Sequence, residues 1–162
     1  MKMIHRVAVA FSIVALTAAG TALAEPVMPP VGTLILPSPF GSLPVGAWSW
    51  GASNSGTVAG GPGGGAPKAF AQDLSVTRFV DGQSPLFFKV AARAEHLPTV
   101  ALVDGPTTIT LTDVLITGYS TEDSPPGNNG TRTENITFTF GKVDYTVNGV
   151  TACFNFITNM SC

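Results

Sequence analysis

Few side chains in this chain could carry chemistry. The histidines are His5, near the N-terminus, and His96, at the end of a helix-like stretch. An imidazole at a helix end more often caps the helix or meets solvent than acts as a general base. One histidine in the body of the chain cannot build a multi-histidine metal site. Cys153 and Cys162 have the wrong spacing for a zinc knuckle. No Gly-x-Ser-x-Gly elbow and no His-Glu-x-x-His motif occurs. Glu122, Asp123 and Ser124 offer oxygens, but a calcium loop supplies more of them at fixed spacing. Lys68 closes a glycine-rich run, yet it follows Pro67, precedes Ala69 and leads into a strand, so it is not a phosphate loop. Asn129, Asn135 and Asn159 open N-x-[ST] tripeptides, which are common by chance in a chain rich in Asn and Thr. This inventory predicts no catalysis, no metal and no cofactor. It leaves a binding module or an assembly subunit.

The elements that would position any site begin after a leader. Lys2 and Arg6 form a basic start, Val7 to Ala19 a short apolar run, and Ala22-Leu23-Ala24 a small-residue cleavage site. The run is short for a membrane span. A signal peptide over residues 1–24 is therefore expected, with a secreted or periplasmic product and no stable membrane insertion after cleavage. Removing it from the 162 residues leaves 138, with six basic against ten acidic side chains. A mildly acidic domain is a poor nucleic-acid binder, because phosphate affinity needs clustered Lys and Arg. In an oxidising compartment Cys153 and Cys162 are expected to form an intramolecular disulfide, with pairing between subunits as the alternative.

Periodicity then points to a mainly β protein. Phe70, Leu74, Val76 and Val80 alternate with Asp73, Ser75 and Thr77, as in a half-buried strand. Asp81-Gly82 turns the chain, Ser84 reads as an N-cap and Pro85 as the first helical residue. Leu86, Val90 and Ala94, flanked by Phe87 and Ala91, make one apolar stripe, and Pro98 is expected to end the helix. Leu34–Leu36, Val45–Trp50, Thr99–Val103, Thr107–Tyr119, Arg132–Val147 and Thr151–Thr158 read as strands, with a hairpin turn at Asn148-Gly149. The apolar face switches near Asp113 and again at Gly141, suggesting a bulge at each, or cover on both faces. Trp48 and Trp50 share one strand face, as core or as a sugar-stacking platform. Gly51–Lys68 has no periodicity and almost no charge. A loop of that length inside a compact domain is usually functional or disordered. The pattern predicts a mainly β fold, a small closed or nearly closed β-barrel with one α-helix at its side.

Three stretches resemble a known family: SWGASNSGTVAGGPGGGAPKAFAQDLSVTRFVDGQSPLFFKVAARAEHL at 49–97, TITLTDVLITGYSTEDSPPG at 108–127 and ENITFTFGKVDYTV at 134–147. Their order and spacing are similar to those of Hcp, the haemolysin-coregulated tube protein of type VI secretion systems. The resemblance implies a two-sheet barrel with one helix, and hexameric rings that stack into a tube able to carry effectors. It also implies an assembly loop after the SWG-like strand, here Gly51, Asn54, Ser55, Gly56, Gly60, Gly61, Gly64, Gly65 and Lys68. The partners so implied are further copies of the chain, secreted effectors or secretion-tip proteins. The chain departs from the family's pattern in its leader, in a short Pro-rich segment before Trp48 that would leave the first barrel edge incomplete, and in residues 148–162, which carry both cysteines. The expected organisation is a leader over 1–24, an Hcp-like barrel over 25–147 and a disulfide-bearing extension over 148–162. The rival reading is an exported monomeric barrel that binds a carbohydrate or a surface partner through Trp48 and Trp50.

Overall fold

The computed structural model describes residues 29–56, 68–123 and 132–162. Among these the elements are β1 (Gly32–Leu36), β2 (Gly41–Val45), β3 (Ala47–Asn54), β4 (Ala69–Phe79), α1 (Ser84–Arg93), β5 (His96–Asp104), β6 (Thr107–Asp123), β7 (Arg132–Val147), β8 (Val150–Asn155) and β9 (Met160–Ser161). The mainly β architecture with one helix is the one the periodicity predicts. All pairings are antiparallel, in the order β2-β1-β5-β6-β7-β4-β3, with β8 attached to β7 and β9 to β8. Hydrogen bonding thus follows one open path rather than two sheets. Its ends, β2 and β3, are separated only by Gly46, whose N–H donates to Thr77 O at 2.9 Å. One bent run of chain therefore serves both ends of the path and wraps the sheet around its core.

The first edge is complete. β1 and β2 form a hairpin that buries Leu34, Leu36, Leu43 and Val45. Gly41-Ser-Leu-Pro-Val holds too few apolar residues to announce a strand. It becomes one because Leu43 and Val45 reach the same core as Leu34 and Leu36.

In β4 the apolar row is shorter than its sequence suggests. Leu74 and Val76 are fully buried, but Phe70 and Val80 are 47% and 36% exposed. Arg78 takes the next inward position instead and is 1% exposed. The helix also differs from expectation at both ends. Gln83, not Ser84, is the N-cap residue, and no side chain caps it. The Ser84 hydroxyl accepts the Asp81 N–H at 2.9 Å, while Asp81 Oδ1 accepts the Gln83 N–H at 2.8 Å. At the other end Ala94 adopts the left-handed conformation and the Glu95 N–H closes on Val90 O at 3.2 Å. The helix ends there, and Pro98 lies inside β5. Phe87 is fully buried and stacks on Phe40 at 4.5 Å, fastening α1 to the β1–β2 hairpin.

The two phase switches prove to be one feature. Thr112 pairs with Lys142 and Val114 with Phe140 in an unbroken register, so Asp113 and Gly141 lie opposite each other. Buried residues are Ile109 and Leu111 before this level and Val114 and Ile116 after it. On β7 they are Phe140 on one side and Val143 on the other. Both strands change face together, so the sheet bends without slipping, and no bulge is needed at either residue. Asp113 bends with a positive φ of 58°, which a short polar side chain tolerates better than most. The register shift between β6 and β7 lies elsewhere, between Ile116 and Gly118.

Candidate assembly surface

β7 has two tenants along one edge. Its residues 133–138 pair with β4 and its residues 142–147 with β8. Below Leu74 the strand β4 therefore leaves β7, taking β3 with it, and the two form a projecting arm. Gly51, Ala52, Ser53 and Asn54 pair with Gln72, Ala71, Phe70 and Ala69. A Cβ at Gly51 would lie 2.7 Å from Gln72 Oε1, the mobile end of that side chain. The ladder is continued by Ser55, whose N–H donates to Lys68 O at 3.1 Å and whose Oγ accepts the Lys68 N–H at 3.2 Å. Asn54 Oδ1 accepts the Gly56 N–H at 2.6 Å, bending the tip, and Lys68 Nζ sits 5.5 Å from the Phe70 ring centre. Gly51, Asn54, Ser55, Gly56 and Lys68 are thus brought together on the arm. Gly60, Gly61, Gly64 and Gly65 lie outside the described residues.

Among the described residues β3 pairs on one side only, with β4. No residue of β3 is charged and none is proline. Folded proteins commonly blunt such an edge with charge or proline to prevent pairing between molecules. The other end of the path has such a device, Pro44 in β2. The edge of β3 is therefore the one left competent to pair.

Beneath the arm runs an open groove of about 410 Å³, lined by Trp50, Asn54 and Ala69 above and by Tyr145, Cys153 and Phe154 below, among others. Val143, Tyr145 and Val147 pair with Phe154, Ala152 and Val150, so the floor is an apolar sheet face. Trp50 meets Tyr145 edge-on at 5.2 Å. Trp48 is half-buried, and its indole N–H donates to Asp104 Oδ2 at 3.0 Å. Trp50 is likewise half-buried and lines the groove. Cys153 is joined to Cys162 across nine residues, with a Cα–Cα distance of 5.4 Å.

The sequence reading missed one cluster. Arg78 and Glu134 are directly paired across β4 and β7, and both are buried. Arg78 Nη1 donates to Glu134 Oε1 at 2.6 Å, and Nη2 pairs with Asp81 at the foot of α1. The Tyr119 hydroxyl donates to Glu134 Oε2 at 2.9 Å. Burial first, and then the adjoining Glu134 carboxylate, push the Tyr119 phenol up to about 12. The guanidinium also lies 5.6 Å from the Phe87 ring centre. The signal was legible: Arg78 and Glu134 each break the apolar parity of their own strand. The cluster ties helix to sheet. Arg78 and Glu134 are closed to solvent, while Asp81 and Tyr119 are partly exposed at its rim.

His96 and Asp113 form a separate exposed pair, Nδ1 to Oδ1 at 3.0 Å. Among the described residues no group of three or more His, Cys, Asp or Glu could hold a metal ion, and no helix is long and apolar enough to cross a membrane.

Comparison with known proteins returns one family model, described as a type VI secretion system effector, Hcp, matching residues 41–147. Solved structures resemble the chain more widely. One described as a type six secretion system protein has a TM-score of 0.71 at 21% identity, covering 81% of this chain and 98% of its own. Hcp1 from Salmonella typhimurium has a TM-score of 0.64 at 25% identity, covering 81% and 97%. A type VI secretion system effector from Yersinia pestis has a TM-score of 0.59 at 20% identity, covering 76% and 98%. No curated protein sequence matches.

Proposed function

The chain belongs to the Hcp family of type VI secretion effectors, and from that premise we propose that it is an exported structural protein that assembles with copies of itself. The assembly is a ring, a hexamer by analogy with the family's tube proteins, able to stack and to deliver effectors. The observation that carries this reading is the β3 edge. It is unpaired among the described residues, uncharged and free of proline, on an arm that projects from the core. Such an edge gains backbone hydrogen bonds when a strand of another molecule lies beside it. A contact between two different faces of the same molecule closes into rings or runs on as filaments, rather than stopping at a dimer.

The leader over 1–24 supports export of single chains, with assembly after cleavage following Ala24. The barrel over 25–147 then acts as the assembling unit, and residues 148–162 as an addition that guards its C-terminal edge. Light scattering and negative-stain imaging of the oxidised protein test the claim. Rings are expected, and a strict monomer at high micromolar concentration would remove it. Deleting Gly56–Gly65 is expected to leave a folded subunit whose rings no longer stack.

A further inference from the structure

The last residues of the chain are wedged into the fork where β4 leaves β7. On one side, the Phe156 N–H donates to Gly141 O at 2.9 Å, and Ile157 covers the paired kink, its Cδ1 2.6 Å from where a Gly141 Cβ would stand. Asn155 Oδ1 holds the turn by accepting the N–H groups of Ile157 and Thr158 at 2.9 and 3.0 Å. On the other side Asn159, with a positive φ of 56°, presents its Oδ1 to the Ala69 N–H at 2.9 Å. Ala69 lies near the tip of the arm, opposite Asn54, and its N–H is satisfied by a side chain ninety residues away.

Beyond Asn159 the segment is held by a short strand and a covalent bond. β9 is two residues long and pairs only with Phe154 and Asn155. The Cys162 N–H reaches Cys153 O at 3.4 Å. A strand of two residues with a single partner strand frays unless it is tied down. The tie is the Cys153–Cys162 disulfide, and the chain has no other cysteine to exchange with.

We propose that this disulfide is a redox latch on the arm. In the oxidised protein it seats Asn159 against Ala69 and fixes the arm over the groove. In the reduced protein the terminal segment leaves the fork and the arm is released. The latch closes when the two thiols give up two protons and two electrons to an external disulfide, which departs as two thiols. The arm is then loose in a reducing compartment and fixed in an oxidising one. The consequence for assembly rests on the reading above, in which the arm is the contact; association then favours the oxidised form.

The test is 15N NMR with amide exchange on the whole protein, oxidised with glutathione disulfide and then reduced with dithiothreitol. Reduction is expected to speed exchange at the Ala69 amide by about tenfold or more, as loss of a local tether does. Among the described residues, chemical-shift changes are expected only in 52–56, 68–72, 140–147 and 150–162. Asn159→Ala, kept oxidised, is expected to reproduce the Ala69 effect with the disulfide intact. An Ala69 amide equally protected in both redox states would overturn the latch, as would shift changes spread through β1 and β5. Sedimentation of the same samples separates the two claims: if Ala69 responds as stated while the oxidised protein stays monomeric, the latch stands and the assembly reading fails.

Discussion

The two halves of β7 meet opposite surroundings. From Arg132 to Phe140 the strand lies between β4 and β6, and its one inward charge, Glu134, is met by Arg78 and Tyr119. From Lys142 to Val147 it lies between β6 and β8, and its inward row faces a groove. The hairpin that follows, residues 148–162, has no charged side chain and exposes Val150, Ile157 and Met160 by 76, 71 and 63%. Buried charge is tolerated where the partner belongs to the same chain and is always present. In the proposed assembly the uncovered apolar surface is where a further copy of the chain would lie. One half of the strand holds the fold together, and the other presents it.

Breaking the buried pair should have the largest effect. Glu134→Ala leaves Arg78 with Asp81 alone and is expected to cost about 3–5 kcal/mol in denaturant unfolding. Replacing Arg78 with Met and Glu134 with Leu together should recover most of that loss, since two apolar side chains remove both charges. A small loss for the single variant would erase the contrast between the two halves.

Removing the disulfide comes next. Cys153→Ser with Cys162→Ser is expected to lower global stability by about 2–3 kcal/mol, the loop-closure value for so short a loop. Circular dichroism should still report an intact β fold, because the core strands do not depend on the tail.

Tyr119→Phe sharpens the comparison at the helix end. Losing the hydrogen bond to buried Glu134 is expected to cost about 1–2 kcal/mol at neutral pH. The phenol is raised from 10.0 to about 12 in the folded protein, so its protonated form is favoured by folding. That stabilisation is complete below pH 10 and is lost as the pH rises through 12. In Tyr119→Phe this component of the pH dependence should disappear. A slope that persists unchanged would assign it to another group.

The smallest effect on stability belongs to the presenting half. Ser53→Lys, on the exposed edge strand, is expected to change stability by less than about 0.5 kcal/mol. It should nevertheless abolish self-association, because an edge lysine opposes pairing with another strand.

How much of this was legible depended on how far each pattern ran. The limits of β7, Arg132–Val147, follow from alternation sustained over sixteen residues. The switches at Asp113 and Gly141 were visible singly. That they are one bend required the register between the strands, which a single sequence does not contain. Strand β2 was hidden because only Leu43 and Val45 mark it. The helix end was misplaced because a left-handed alanine leaves no mark in sequence, whereas Pro98 looks like a stop and is accepted by a strand. Of the candidate site, the arm residues from Gly51 to Gly56 and Lys68 were singled out through the family resemblance. The fork and the Asn159–Ala69 tether were not, because they join positions ninety residues apart.

The claim at the centre is that the uncharged arm and the hairpin beneath it meet other copies of the chain. The mass of the oxidised protein in solution, followed by sedimentation as concentration is raised, tests it most directly. The account predicts growth from single chains to a closed multimer, lost in Ser53→Lys. A single-chain mass across the whole range, with the arm intact and the disulfide formed, would contradict it.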